Sequence, residues 1–461
     1  MLASLARMRV WMAPLLALAV APAAAAPAPA PAPAAARTPI GLPVTSFELG
    51  NGMRVALHED HATPSVIVYL WFRVGSKDET AGHTGFAHLF EHLMFEGSRH
   101  VPEGQFDLLL EGAGGWSQGT TTTDRTNYYE ELPSSHLELA LWLDADRLAG
   151  LWDAMNMKVF RAQRDIVKNE RRESVDEAPY GRAEEQVQQA LWPPGHGNHN
   201  LTIGTMEDLD RATLAEVEAF WRRYYVPSNC TLVIAGDIDI ARTRALVERY
   251  FGWMPKVPEP VHRVLDRPVE PRAGAVTLTA RDRVQATKLM LTWRSPTPFT
   301  RESRDLEVAA QMLAGSKSGR LYRRLVIDDR LAEWVRADQA PQLLGGQFGI
   351  EVMMLPGADP ARAAQAVREE VAAMAARPPS ADEVARAVRT FEVGSIAGLE
   401  SLVARADQIA EYAAYTGDPG FFARDLELSR ATTAAGVHAA VKKWLGPDAS
   451  VQMIVTPEGG K

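Results

Sequence analysis

The stretch GFAHLFEHLMFEGS holds two imidazoles, His88 and His92, four residues apart, with Glu91 directly before the second. On a helix, residues four apart share a face, so both rings can turn a nitrogen toward one point. Glu91 stands at the edge of that face. Two imidazoles and an adjacent carboxylate suit a divalent metal that activates water, with the carboxylate as proton acceptor. The order is His-x-x-Glu-His, the inverse of the commoner His-Glu-x-x-His. With 11 histidines and 58 acidic residues in 461, chance gives such a pattern in only about 3% of chains like this one. Leu89, Phe90, Leu93, Met94 and Phe95 make the segment apolar nearly all round, which predicts burial. Buried histidines and a buried carboxylate need partners, and a metal supplies them. A catalytic zinc wants three protein ligands and an open position, so a further ligand must come from elsewhere in the chain.

The elements that carry these residues belong to one of two similar regions. SVIVYLWFRVGS reads as a strand leading into the His88–His92 helix, and ATKLMLTWRSPT reads as a strand leading into the helical RDLEVAAQMLAGSKSG. Setting Gly97 and Ser98 on Gly315 and Ser316 places Leu306, Ala309 and Ala310 opposite His88, Glu91 and His92. The strands in PSNCTLVIAGD and GPDASVQMIVTPE follow at nearly the same offset. An internal duplication is expected, with the polar constellation in the first copy alone. Five prolines in PKVPEPVHRVLDRPVEP exclude a helix or central strand and mark a linker over 255–272. The expected organisation is a first domain over 43–254 and a homologous second domain over 273–461. Further strands are expected at MRVALHE, GTTTTDRTNYYEEL and CTLVIAG, and helices over 134–150, 157–176, 182–191 and 211–223. The fold class is α+β: two mixed α/β domains, each a mostly antiparallel sheet covered by helices on one side.

Arg7 and Arg9 precede a short apolar run and then small residues near Ala26, the order of an export signal over 1–26. A Pro/Ala-rich spacer follows over 27–42. No stable membrane span is expected after cleavage, and the periplasm is the expected location, secretion being the alternative. The net charge of −9, with no compensating basic run, argues against nucleic-acid binding. The lone cysteine, Cys230, rules out an intrachain disulfide and lies in an apolar strand. His196 and His199 fall in a Gly/Pro-rich loop and are expected to be ordinary surface residues; His83 is off the metal-facing side of the helix and is expected at its entrance.

The segment GHTGFAHLFEHLMFEGS resembles the active-site segment of the pitrilysin/insulinase family of zinc peptidases, near its mitochondrial processing peptidase β-subunit branch and bacterial relatives. FELGNGMRVAL, DRTNYYEELP, YVPSNCTLVIAGDID and GRLYRRLV extend the resemblance over nearly the whole chain beyond the spacer. The resemblance implies repeated α+β domains forming half of a clam-shell chamber, with one Zn2+ per chain in the first domain. It implies Glu170, in QRDIVKNERRESVDEAP, as third ligand beside His88 and His92, with Glu173 next on the same helix. Glu91 becomes the catalytic base of an endopeptidase for unfolded or extended peptides. The peptide is expected along WSQGTTTTD, at Gln118, Gly119 and Thr120, Gln118 standing where the family usually has asparagine.

Two departures bear on activity. Gln163 replaces a glutamate found seven residues before the zinc ligand in many relatives. Val326 and Glu333 stand where active single-chain relatives supply an arginine and a tyrosine to the substrate pocket. The chain is therefore expected to be the zinc-bearing subunit of a heterodimer whose homologous zinc-less partner supplies that pair; a second copy of this chain is the other candidate partner. The competing reading is a non-catalytic scaffold or a peptide-binding, chaperone-like subunit of the same fold.

Overall fold

The computed structural model describes residues 41–458, so the expected signal peptide and nearly all of the spacer lie outside the described residues. The first sheet contains β1 (Thr45–Glu48), β2 (Arg54–Glu59), β3 (Ser65–Phe72), β4 (Trp116–Thr121), β5 (Thr126–Pro133) and β6 (Cys230–Gly236). Its order is β1-β2-β6-β3-β5-β4, antiparallel except for the β2–β6 pair. β3 and β6 are central and buried on both faces, which is why SVIVYLWF and CTLVIAG are continuous apolar runs rather than alternating ones. The edge strand β4, WSQGTT, is polar and partly exposed, as an edge that must not aggregate should be. The expected single strand GTTTTDRTNYYEEL is instead the β4–β5 hairpin. Thr122 Oγ1 accepts the backbone N–H groups of Asp124 and Arg125, a local turn that competes with continued extension.

The second sheet repeats this plan with β7 (Val276–Asp282), β8 (Lys288–Ser295), β9 (Ala332–Ala340), β10 (Gly346–Met354) and β11 (Val451–Pro457), ordered β7-β11-β8-β10-β9. Again one pair, β7–β11, is parallel. The match of strand order and direction bears out the duplication read from the sequence. Where the first copy carries His88, Glu91 and His92, the second buries Leu306, Ala309 and Ala310 within its core. Helix Arg301–Ala314 thus packs with apolar residues where its counterpart turns polar.

Five helices of the first half matter for the site: α1 (Phe86–Leu93), α2 (Gln105–Gly112), α3 (Leu137–Ala154), α4 (Met157–Arg171) and α5 (Gly181–Leu191). α1 and α3 pack Leu89, Phe90, Leu93, Leu141 and Leu148 against Val66, Val68, Leu70 and Phe72 of β3. The opposite face of the sheet, expected to be open, is covered as well. Helix Leu402–Thr416 comes from the second half and lays Ala406, Ile409 and Tyr412 on Ile67, Tyr69, Trp71 and Val233. In return, Ala183, Val187 and Leu191 of α5 pack on Met290, Met453 and Val455 of the second sheet. Each half lends a helix to the other's sheet.

Helix Leu402–Thr416 also buries the Glu411 carboxyl beside Asp407, and burial pushes its pKa up to about 7. A carboxyl raised in the folded state favours folding while protonated. That contribution is complete below the unfolded value and is lost as pH rises through about 7. Glu411→Gln is therefore expected to raise stability at pH 8, by on the order of 2 kcal/mol, and to do little at pH 4. Denaturant midpoints at the two pH values test this; an equal shift at both would refute it.

Candidate metal and catalytic site

The site begins with the entry into α1. Gly85, at φ 88°, turns the chain left-handed before the helix, and a Cβ there would meet the Ile203 carbonyl oxygen at 2.7 Å. Glycine has no side chain to cap a helix, and Glu79 does this instead. Its Oε2 accepts the Gly85 N–H at 2.9 Å and its Oε1 the Ala87 N–H at 2.8 Å. Burial pushes the Glu79 carboxyl up to about 8 despite these two donors. Sequence reading missed Glu79, because it lies six residues before Gly85 rather than at an ordinary capping position.

His88 and His92 sit one turn apart on α1, their rings edge to face with centroids 5.0 Å apart. α4 brings Glu170 to them. Glu170 Oε2 lies 3.6 Å from His88 Nε2 and 3.3 Å from His92 Nε2. Among the described residues, these three are the group of histidine, cysteine and acidic side chains whose ligand atoms converge, within 4.8 Å of one another. Ligands held about 2.1 Å from one tetrahedral zinc lie about 3.4 Å apart, and the two distances from Glu170 to the imidazoles match that spacing. Burial, with help from His92, lowers the His88 pKa to about 4, leaving the ring in the neutral form that binds metal. α4 continues beyond Glu170 into a π-helical turn, Arg172–Asp176, so the expected helix over 157–176 is present with its last turn widened.

Glu91 is wedged between α1 and the edge strand. Thr121 Oγ1 donates to Glu91 Oε2 at 2.5 Å, which fixes the carboxyl's rotation, and burial raises its pKa. Gly119 lies over it: a Cβ there would come within 3.0 Å of Glu91 Cγ and 3.1 Å of Phe95 Cε2. The strand can approach the helix this closely because position 119 has no side chain. The neighbouring Gln118 and Thr120 side chains turn elsewhere. Gln118 Oε1 accepts from the Tyr129 hydroxyl, and Thr120 Oγ1 donates to Asn127 Oδ1. Thr121 was not singled out from sequence, although the two-residue period places it on the same face as Gly119.

Phe95, just past α1, rests on a buried charge. Arg147 of α3 lies 5.5, 4.6 and 5.0 Å from the ring centres of Phe95, Phe106 and Tyr128. Its Nη2 contacts Glu130 Oε1 and Asp144 Oδ1, both at 2.5 Å, and all three side chains are essentially inaccessible to solvent.

The three other histidines singled out from the sequence have partners of their own, and the two loop residues, expected at the surface, are half-buried. His196 stacks on Trp192 at 4.3 Å, His199 Nδ1 bonds the Trp192 carbonyl, and His83 pairs with Glu216. In the second half, Val326 packs against the core and Glu333 is exposed on β9.

The profile of the insulinase family, peptidase family M16, matches residues 54–205, and that of the M16 peptidase inactive domain matches residues 211–391. Among similar proteins is the zinc protease PqqE of Helicobacter pylori, 27% identical over 71% of this chain and 73% of its own. The mitochondrial-processing peptidase subunit beta of Blastocladiella emersonii is 25% identical over 45% of this chain and 44% of its own. The crystal structure of a protease from Helicobacter pylori superposes with a TM-score of 0.83 at 22% identity, over 91% of this chain and all of that one. The periplasmic protease PqqL of Escherichia coli gives 0.74 at 18% identity, over 90% of this chain and 48% of that one; at such identities both show the fold alone. With two matched profiles in succession and relatives named as zinc proteases, the chain belongs to the insulinase family, peptidase family M16.

Proposed function

We propose that this chain is a zinc-dependent endopeptidase acting on unfolded or extended peptides, and that it works as the metal-bearing subunit of a heterodimer. The observation that carries the reading is the convergence of His88, His92 and Glu170 beside a buried Glu91 at a free sheet edge. These three residues would hold the ion, which supplies Lewis-acid polarisation of the scissile carbonyl when bound. Glu91, held by Thr121, takes the proton of the attacking water and hands it to the leaving amine. The peptide adds as a further strand on the unpaired side of β4, where backbone bonds give affinity and the absent side chain of Gly119 lets it lie close to Glu91.

The heterodimer rests on Val326 and Glu333. Neither a valine nor an ionised glutamate can donate a hydrogen bond to a developing oxyanion, and in the proposed heterodimer a homologous zinc-less chain supplies those donors. The PqqL chain, about twice the length this chain covers, supports the idea that such a fold works in pairs. Export to the periplasm agrees with the N-terminal sequence. Among the described residues, no helix is long and apolar enough to cross a membrane.

The test is metal analysis joined to a peptide digest. The purified chain is expected to carry about one zinc, to lose it in Glu170→Ala, and to cleave peptides weakly until the partner is added. Zinc retained by Glu170→Ala would defeat the ligand assignment. Strong turnover by the chain alone would defeat the heterodimer.

A further inference from the structure

α1 and α4 meet at two levels. At one, Glu170 reaches the two imidazoles. Two helical turns earlier on α4, Gln163 is 7% exposed and its Nε2 donates to Glu96 Oε1 at 2.6 Å. Seven residues separate Gln163 from Glu170, so both lie on the face of α4 turned toward α1. Glu96 stands four residues past His92, and its backbone N–H closes the end of α1 on the Leu93 carbonyl at 3.2 Å. The two helices are thus joined by two rungs, one at the candidate metal site and one below it.

We propose that the Glu96–Gln163 hydrogen bond is a positioning device for the metal site. It sets the rotation and height of α4 against α1, and so delivers the Glu170 carboxylate to His88 and His92. The proposal rests on the metal reading of those three residues. Glu170 is partly exposed on a long, flexible side chain, so its placement depends on where α4 lies. Groups bonded directly to metal ligands are worth about 10–100-fold in metal affinity; the Glu96–Gln163 bond acts one step further out, through the placement of α4, and its effect is expected at the lower end of that range. The bond has a direction: an amide at 163 donates and a carboxylate at 96 accepts. Glu103 and Asp107 add negative charge around Glu96, so a second carboxylate at position 163 would be opposed rather than held.

The experiment is a zinc titration against a chelator at pH 8, with variants of unchanged shape. Gln163→Glu places two carboxylates face to face and is expected to weaken zinc binding by about tenfold or more. The swap Glu96→Gln/Gln163→Glu restores a donor and an acceptor in reversed order, and is expected to return affinity to within about threefold of the unaltered chain. Glu96→Gln alone, where two amides can still bond, should stay in that range. Thermal unfolding of each metal-free variant checks that the fold persists. Gln163→Glu binding as tightly as the unaltered chain, or a swap as weak as Gln163→Glu, overturns the proposal. Failure of the underlying metal reading looks different: the unaltered chain binds no zinc, or His88→Ala and Glu170→Ala bind it as well as the parent.

Discussion

Glu91→Gln is expected to lower peptide hydrolysis by about 10²–10⁴-fold while leaving the zinc content unchanged. Glutamine keeps the size of the side chain, and its carbonyl can still accept from Thr121, so the packing between α1 and β4 persists. What it loses is the capacity to take a proton. Because Glu91 is not among the converging ligand atoms, metal should remain on His88, His92 and Glu170. Zinc analysis and a peptide assay, run on one preparation with the proposed partner present, separate the two roles. Turnover within a few-fold of the parent would remove Glu91 from the mechanism; loss of zinc would show that it helps hold the ion. Unchanged peptide binding with no hydrolysis in either protein would favour the scaffold or chaperone-like reading.

The second large effect concerns stability. Arg147→Met is expected to destabilise the protein by about 3–5 kcal/mol, because it strips the one cation from a buried cluster with two carboxylates. Burial already pushes Glu130 well up, and the Asp144 carboxyl is raised as well. Both depend on Arg147 for the attraction that opposes this. Methionine fills most of the volume and keeps the contact with Phe95, Phe106 and Tyr128, so the loss reads the charge rather than a cavity. Urea unfolding of the metal-free protein measures it. A shift below about 1 kcal/mol would mean that the two acids release their charge by taking up protons at little cost.

Much of this was legible in the sequence, for physical reasons. The four-residue spacing of His88 and His92 is a helical signal, and the repeated strand-then-helix pattern disclosed the duplication that the two sheets display. Glu170 was reached only through the family resemblance, since no local pattern links a carboxylate to histidines almost eighty residues earlier. The β4–β5 hairpin was read as one strand because its turn uses threonine, aspartate and arginine instead of glycine or proline. Glu79 and Glu96 escaped notice because their roles depend on which helix end or neighbour the fold brings to them. The exchange of α5 and helix Leu402–Thr416 was equally hidden: an amphipathic stripe tells that a face is covered, not by whom.

That exchange carries a consequence for how the molecule moves. Cutting the chain within 255–272 would leave Ile67, Tyr69 and Trp71 bare on one fragment and Met290, Met453 and Val455 bare on the other. Swinging the halves apart would peel two oily surfaces into water at once, which opposes a hinge between them. In the heterodimer proposed above, a gate for a polypeptide would then open at the seam between the two chains rather than within this one.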